Sequence, residues 1–158
     1  MTLPKESFDI VTHHPDQTRA LGRRFGEALT GGMVLSLEGD LGCGKTVFVQ
    51  GLAQGLCVPE TIYVTSPSYA LIHEYPARVP LFHADLYRIE NPAGLDDLGL
   101  FDIISGENVV AIEWAEKIRK ALPAEGMTIG FHIVTDFIRK ISMTAYGLQA
   151  LNVLRTLQ

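Results

Sequence analysis

Hydrophobic residues in the first third of the chain follow two different patterns. Apolar positions within residues 16–29 recur every three or four residues behind Pro15, which predicts an amphipathic helix. Residues 33–37 form a nearly continuous apolar run, which predicts a strand that is buried on both faces. A glycine-rich turn follows this run, and residues 45–56 are predicted to form a second helix.

Shorter versions of both patterns continue to the end of the chain. Helices are predicted at residues 92–98, 114–122 and 148–157. Strands are predicted at residues 8–12, 62–64, 69–75, 80–86 and 108–113, and as a hairpin of edge strands at residues 127–134 and 138–145. Because strands alternate with helices, the pattern indicates an α/β fold whose sheet has parallel central strands.

Composition narrows the class of protein. The chain has 158 residues, of which 47% are hydrophobic and 20% are charged, so it can bury a core and is not a disordered chain. Two cysteines are too few for a disulfide scaffold, and we expect both to be reduced thiols. A formal net charge of -5 argues against a protein that grips nucleic acid by itself.

Neither a targeting segment nor a membrane span is visible in the sequence. Residues 1–9 mix charged residues with Pro4 and lack the apolar run of a signal peptide. No stretch approaches the roughly 20 apolar residues of a membrane-spanning helix. We therefore expect a cytoplasmic protein of one domain, residues 1–158, whose partners include neither a membrane nor DNA.

The glycine-rich turn matches the P-loop pattern G-x-x-x-x-G-K-[ST], with a predicted strand before it and a predicted helix after it. Its glycines let backbone N–H groups turn toward phosphate oxygens, and the helix presents its positive end to the same anion. Lys45 can reach the β- and γ-phosphates, and the Thr46 hydroxyl can coordinate Mg²⁺. The predicted nucleotide-binding residues are Gly39, Asp40, Leu41, Gly42, Cys43, Gly44, Lys45 and Thr46.

A P-loop needs an acid on a neighbouring strand to hold Mg²⁺ or its water shell. Glu113 ends the predicted strand 108–113, and Asp85 lies near the end of the predicted strand 80–86. Ligands bind at the carboxyl ends of strands in open α/β sheets, so either acid is a candidate. Each alone could equally be a solvated strand end, but two idle acids beside a P-loop are not expected.

The segment that contains Thr65 and Ser66 has two interpretations. Its hydroxyls could belong to a switch-like loop that senses the γ-phosphate or Mg²⁺. Pro67 beside them equally suits a plain turn between two strands, and the spacing by itself favours the turn.

Three classes of nucleotide-dependent protein compete. A GTPase would show an N-K-x-D motif, and the sequence has none. A small-molecule kinase usually has a basic lid, and the sequence has no arginine-rich insertion. A regulatory ATPase that acts on a partner needs only the nucleotide site and a docking surface, so the short chain favours this class.

Four segments, taken in order, resemble the TsaE (YjeE) family, the bacterial ATPase of tRNA threonylcarbamoyladenosine synthesis. They are the P-loop, Thr-Ser-Pro-Ser-Tyr at residues 65–69, His-Ala-Asp-Leu-Tyr-Arg at residues 83–88, and Glu113-Trp114. The resemblance covers residues 16–114, and the combination of the four motifs makes it specific. It implies a three-layer α/β P-loop NTPase-like domain with a mixed, largely parallel central sheet and antiparallel C-terminal edge strands.

The resemblance also implies an activity and partners. Members of the family bind and hydrolyse ATP with Mg²⁺ and associate with TsaD and TsaB, of which TsaD transfers the threonylcarbamoyl group to the adenosine beside the anticodon. We expect ATP to drive or reset this complex, weak hydrolysis by the isolated chain, completion of the site by the partners, and contact with tRNA mainly through them. A stand-alone small-molecule kinase remains the alternative, and a nucleotide-gated binding module that barely hydrolyses ATP is a third possibility.

The family's functional residues carry over to matching positions of this sequence. Lys45 resembles the phosphate lysine, and Thr46 and Glu113 resemble the Mg²⁺ ligands. Asp85 resembles the acid near the γ-phosphate, on a Mg²⁺-bound water or on the attacking water. Asp85, Glu113 and Lys45 form the predicted catalytic set, in which the roles of the two acids are not divided.

The resemblance bears on three further places. Thr65 resembles the switch-like hydroxyl, with Ser66 in the same loop, which reverses the preference for a plain turn. Cys43 stands where family loops commonly carry Ala or Ser, and it either fills space or, as a thiol beside a helix N-terminus, has a lowered pKa and is oxidisable. His13 and His14 are surface or capping residues, or they flank the adenine base.

Overall fold

The computed structural model describes residues 2–67 and 69–158, so Ser68 of the Thr-Ser-Pro-Ser-Tyr segment lies outside the described residues. The strands are β1 (Lys5–Thr12), β2 (Met33–Glu38), β3 (Ile72–Tyr75), β4 (Leu81–Asp85), β5 (Val109–Glu113), β6 (Gly126–Ile133) and β7 (Arg139–Tyr146). The α-helices are α1 (Pro15–Ala28), α2 (Lys45–Gly55), α3 (Leu100–Ser105) and α4 (Leu148–Thr156), and two 3₁₀ helices span Pro92–Leu98 and Ala115–Ala121.

The seven strands form one mixed sheet in the order β1-β7-β6-β2-β5-β4-β3. Its centre is parallel, because β2 pairs with both β5 and β6, and β4 pairs with β5. The outer pairs β1–β7, β6–β7 and β3–β4 are antiparallel. The prediction of an α/β fold with a mixed sheet and parallel central strands is confirmed.

One detail of the predicted sheet is wrong, because the C-terminal hairpin does not supply its edge. The edge strand on that side is β1, which pairs antiparallel with β7 over all 8 of its residues. In β1, Phe8 and Ile10 pack against the core, and pairing of Lys5, Glu6 and Ser7 with β7 extends the strand beyond the predicted residues 8–12. The hydrogen-bonding edge of β7 is therefore covered rather than open.

Two other segments differ from the prediction because packing decides them. Residues 62–64 form no strand, and Ile62 and Val64 pack against the core from a loop instead. Residues 115–121 lie in the helix predicted at 114–122, but they form a 3₁₀ helix that is interrupted at Ile118. The short helix α3 was not predicted, since 6 residues are too few to show a helical periodicity.

Helical segments cover both faces of the central sheet. α1, α2 and α4 pack on one face, in a core that includes Leu35 and Leu37 of β2. α3 and the 3₁₀ helices pack on the other face, against Val110 and Ile112 of β5. The three predicted layers are thus present.

Within residues 2–67 and 69–158, no helix combines the length and the apolar character needed to cross a membrane.

The crossing of α1 and α2 is very close, and four glycines make it possible. They are Gly22 and Gly26 on α1 and Gly51 and Gly55 on α2. A Cβ atom added at any of them would come within 1.9 to 2.5 Å of a backbone oxygen of the other helix. This backbone contact fixes the position of α2, whose first residues belong to the P-loop.

Candidate nucleotide site

The P-loop connects β2 to α2 at the carboxyl edge of the parallel strands. The turn needs glycine at three places, because φ is +142° at Gly39, +77° at Gly42 and +110° at Gly44. No side chain caps the N-terminus of α2 at Gly44, so the N–H groups of its first turn face no side-chain acceptor. Asp40 and Leu41 are exposed on the loop. This arrangement is the backbone geometry of an anion site.

Lys45 spans the P-loop from the first position of α2. Its ammonium donates a hydrogen bond to the carbonyl oxygen of Gly39 at 2.6 Å and lies 4.7 Å from the centre of the Trp114 indole ring. The side chain is buried, with 4% of its surface exposed. A buried cation is thus held between a loop carbonyl and an aromatic face, beside the turn that would receive phosphate. Thr46, next to it, is half-buried.

The two candidate acids end adjacent strands. β4 and β5 pair in a parallel register that sets Asp85 directly opposite Glu113. Glu113 is buried, and its Oε1 atom accepts a hydrogen bond from Nε2 of His83 at 3.1 Å. Asp85 is half-buried, and its Oδ1 atom accepts from the backbone N–H of Tyr87 at 3.0 Å. Two carboxylates therefore stand side by side at the edge that carries the P-loop.

The loop with Thr65 and Ser66 is hydrogen-bonded to β3 and β4. Ser66 donates its hydroxyl to Oδ2 of Asp85 at 3.2 Å. The Tyr75 hydroxyl accepts from the backbone N–H of Thr65 at 3.3 Å and donates to the carbonyl oxygen of Thr65 at 3.2 Å. His73 adds a hydrogen bond of 3.1 Å to the same hydroxyl. The predicted switch-like loop thus contacts one of the two candidate acids directly.

Arg139 ties the C-terminal hairpin to the P-loop. Its Nε atom donates to the carbonyl oxygen of Cys43 at 3.0 Å, across a separation of 96 residues. A terminal nitrogen of the same guanidinium donates to the carbonyl oxygens of Thr135 at 2.7 Å and Ile138 at 3.1 Å. Arg139 therefore holds the turn between β6 and β7 beside the P-loop.

Two exposed aromatic rings flank the same edge of the sheet. The rings of His14 and Phe137 lie 6.3 Å apart between centroids, with 9° between their planes. His14 caps α1, as expected for one of its interpretations, because its Nδ1 atom accepts from the backbone N–H of Asp16 at 3.1 Å. Thr12 pairs with Arg139 in the β1–β7 register, which brings the segments that carry both rings to the end of the sheet where the P-loop lies.

Comparisons with known proteins give the family of the chain. A family model described as "Threonylcarbamoyl adenosine biosynthesis protein TsaE" matches residues 12–141. The chain belongs to the TsaE family. It is 41% identical over 137 residues to the tRNA threonylcarbamoyladenosine biosynthesis protein TsaE of Bacillus subtilis, which covers 86% of this chain and 84% of that protein. It is 44% identical over 129 residues to the Nostoc protein of the same name, covering 75% and 76%.

A solved structure extends the similarity to the whole fold. The crystal structure of YdiB from Bacillus subtilis matches this chain with a TM-score of 0.80 at 33% sequence identity, and it covers 98% of this chain and 95% of that one. The resemblance to the TsaE family that the four motifs indicated is therefore confirmed.

One expectation for this TsaE family member is wrong, namely that Cys43 has a lowered pKa. The thiol is 1% exposed, and burial raises its pKa more strongly than the neighbouring Lys45 ammonium lowers it. A buried, protonated thiol is a poor nucleophile. A Cβ added at Gly39 would lie 2.7 Å from the Cys43 sulfur, so this side chain fills the space beneath the loop.

Several residues that contact the site were not predicted from the sequence. Arg139 and Phe137 are far from the P-loop in sequence, and no motif of the chain signals them. Tyr75 lies in a predicted strand, where an aromatic residue suits simple packing. His83 belongs to the His-Ala-Asp-Leu-Tyr-Arg segment that carries the resemblance and lies on the same strand face as Asp85, but neither signal indicated its hydrogen bond to Glu113.

Proposed function

We propose that this TsaE family member is the Mg²⁺-dependent ATPase subunit for threonylcarbamoyladenosine modification of tRNA, acting with partners of the TsaD and TsaB type. The observation that carries the proposal is the arrangement of three groups at one sheet edge. The P-loop with Lys45 lies next to the paired acids Asp85 and Glu113, with Ser66 hydrogen-bonded to Asp85. These are the parts that phosphoryl transfer requires.

The phosphates of ATP are assigned to the P-loop. Backbone N–H groups of residues 39–46 and the N-terminus of α2 would bind the phosphate oxygens. Lys45 would exchange its contact with the Gly39 carbonyl for the β- and γ-phosphates, a strong charge-assisted hydrogen bond. Binding would thus use a lysine that is already buried at the correct end of the loop.

The residues present suit Mg²⁺ rather than a softer metal. Thr46 and Glu113 offer a hydroxyl and a carboxylate, the hard oxygen ligands that Mg²⁺ prefers. Among the described residues, no group of three His, Cys, Asp or Glu side chains could hold a metal alone, and in the proposed complex phosphate oxygens and waters would complete the coordination. When bound, Mg²⁺ neutralises charge that develops on the phosphates.

Asp85 is assigned to the attacking water or to a water on Mg²⁺. Its carboxylate is fixed from two sides, by the Tyr87 backbone and by the Ser66 hydroxyl. Positioning of this kind is the main protein contribution to phosphoryl transfer. Arg139 donates to backbone carbonyls of the hairpin and the P-loop, so it serves the loop rather than the γ-phosphate. We infer that a partner supplies the missing stabilising charge.

Apolar exposure supports a protein partner at this edge. Leu41 on the P-loop is 63% exposed, and Tyr87 beside Asp85 is 46% exposed. Exposed apolar side chains around a polar site are typical of surfaces that bind proteins. The net charge of -5 fits contact with tRNA mainly through the partners.

The proposal is tested by phosphate release from ATP and Mg²⁺ with and without a purified TsaD–TsaB pair. We expect the pair to stimulate release at least about tenfold, and Lys45→Ala to abolish the stimulated rate, because charge stabilisation dominates this reaction. Equal rates with and without the pair would contradict the partner-completed site. Transfer of phosphate to a small acceptor, independent of the pair, would instead favour a stand-alone kinase.

A separate prediction concerns the base of the nucleotide, which we propose to stack on the exposed ring of Phe137 beside His14. Base–aromatic stacking is worth about 1–3 kcal/mol, so Phe137→Ala should weaken ATP binding by roughly 5- to 150-fold. Binding of inorganic tripolyphosphate, which has no base, should not change. Val134→Ala, at another exposed apolar residue of the same turn, serves as the control. Calorimetry with both ligands measures the effect, and equal weakening of both would show that Phe137 acts on the P-loop rather than on the base.

A further inference from the structure

His83 is a buried polar residue whose role is not explained by packing. It lies in β4 with 0% of its surface exposed. Its single side-chain hydrogen bond joins Nε2 to Oε1 of Glu113 at 3.1 Å. Its second ring nitrogen, Nδ1, is buried and has no partner among residues 2–67 and 69–158. The polar function of this ring is thus directed at one atom of Glu113.

The strand register explains how the two side chains meet. β4 and β5 run parallel, with His83 opposite Ala111 and Asp85 opposite Glu113. Side chains two residues apart on a strand lie on the same face. The small side chain of Ala111 leaves room beside the imidazole, which reaches diagonally to the residue two positions closer to the P-loop. His83 therefore lies beneath the pair of acids, away from solvent.

The hydrogen bond constrains the Glu113 carboxylate. A carboxylate on a flexible side chain can present either oxygen in several orientations. Here Oε1 is taken by the imidazole, whereas Oε2 has no hydrogen-bond partner in the described part of the chain. Ligating carboxylates in metalloproteins are commonly held in this way by a group behind them.

We propose that His83 is a positioning residue for the metal site. Its Nε2–H holds Oε1 of Glu113, and the other carboxylate oxygen is thereby presented to the Mg²⁺ of the bound nucleotide. The inference rests on the proposed function, in which Glu113 is the carboxylate ligand. His83 itself touches neither metal nor nucleotide and acts only through Glu113.

The test uses two amide substitutions that differ in reach. The amide nitrogen of glutamine falls near the position of Nε2, whereas that of asparagine falls near Nδ1 and stops short of Glu113. For the full chain, calorimetry measures binding of a non-hydrolysable ATP analogue with Mg²⁺ and in EDTA. The ratio of the two affinities reports the metal contribution. His83→Leu is a second variant without a donor, and thermal unfolding checks that each variant is folded.

We expect His83→Asn and His83→Leu to lower this ratio about 10- to 100-fold, the usual effect of losing a group behind a metal ligand. Affinity in EDTA should stay within about threefold, and His83→Gln should keep the ratio within about threefold of the unsubstituted chain. Equal ratios in all variants would overturn the proposal. So would equal losses in His83→Gln and His83→Asn, because they would indicate a structural role.

Glu113→Gln separates failure of this inference from failure of the proposed function. If Glu113→Gln lowers the ratio and the donor-free His83 variants do not, only the role of His83 is overturned. If Glu113→Gln leaves the ratio unchanged, the assignment of Glu113 as a metal ligand and the proposed role of His83 are both overturned. If the unsubstituted chain binds no analogue in either buffer, the nucleotide function itself is contradicted.

Discussion

Gly51→Ala should lower the free energy of unfolding by about 3 kcal/mol or more, at the upper end of what overpacking costs. The added Cβ would lie 1.9 Å from the carbonyl oxygen of Arg19 and 2.9 Å from the backbone nitrogen of Arg23. Both contacts are with backbone, which cannot rotate away, so the two helices must separate. Because α2 begins with Lys45 and Thr46, separation of the helices would also displace the P-loop.

Gly94→Ala is the matched control for this change. Gly94 lies in the first 3₁₀ helix, and an added Cβ would meet no atom within 4 Å. We expect its unfolding free energy to change by no more than about 0.5–1 kcal/mol, as for other surface substitutions. Denaturant unfolding followed by circular dichroism measures both variants. A loss below about 1 kcal/mol in Gly51→Ala would show that the helices can repack at little cost.

Asp85→Asn and Glu113→Gln should each reduce phosphate release in the presence of the partner pair by about 10²- to 10⁴-fold. Both substitutions remove a negative charge while keeping the shape of the side chain. Asp85→Asn removes the group that orients water. Glu113→Gln removes a carboxylate ligand to Mg²⁺. Binding of ATP in EDTA should persist in both variants, because the P-loop is unchanged.

Asp97→Asn controls for the change of charge, since Asp97 is exposed on the first 3₁₀ helix and lies outside the proposed site. It should release phosphate at the unsubstituted rate. Full tRNA modification with Asp85→Asn and Glu113→Gln would contradict a need for hydrolysis. That result would favour the third possibility, a binding module that requires bound ATP and barely hydrolyses it.

The strongest sequence predictions concerned elements whose pattern is local. β2, the glycine-rich turn and α2 follow one another without a gap, so the buried run, the glycines and the helical spacing could be interpreted together. The same holds for β4 and β5, which end in Asp85 and Glu113 as predicted. Their direct pairing, which sets Asp85 opposite Glu113, is a property of the folded sheet and was not predicted.

Predictions failed where distant contacts decide the local structure. Ile62 and Val64 are β-prone, yet they pack from a loop, because their side chains fill a gap in the core without a neighbouring strand. The C-terminal hairpin does not form the edge, because β1 spans 8 residues and pairs with β7 along its whole length. The polar first residues of β1 carry a weak hydrophobic signal, and only their pairing with β7 shows that they belong to the strand.

The sequence by itself determined the fold class, the TsaE family and the P-loop, because each depends on residues that are close together in the chain or on motifs of fixed spacing. Only the tertiary structure decided the groups that stand around the P-loop. Arg139 contacts Cys43 across 96 residues, Phe137 stacks with His14, and His83 bonds to Glu113 on another strand. These contacts depend on strand order and register, which the local pattern does not encode. The same reason applies to Cys43, whose raised pKa comes from burial that the whole fold creates.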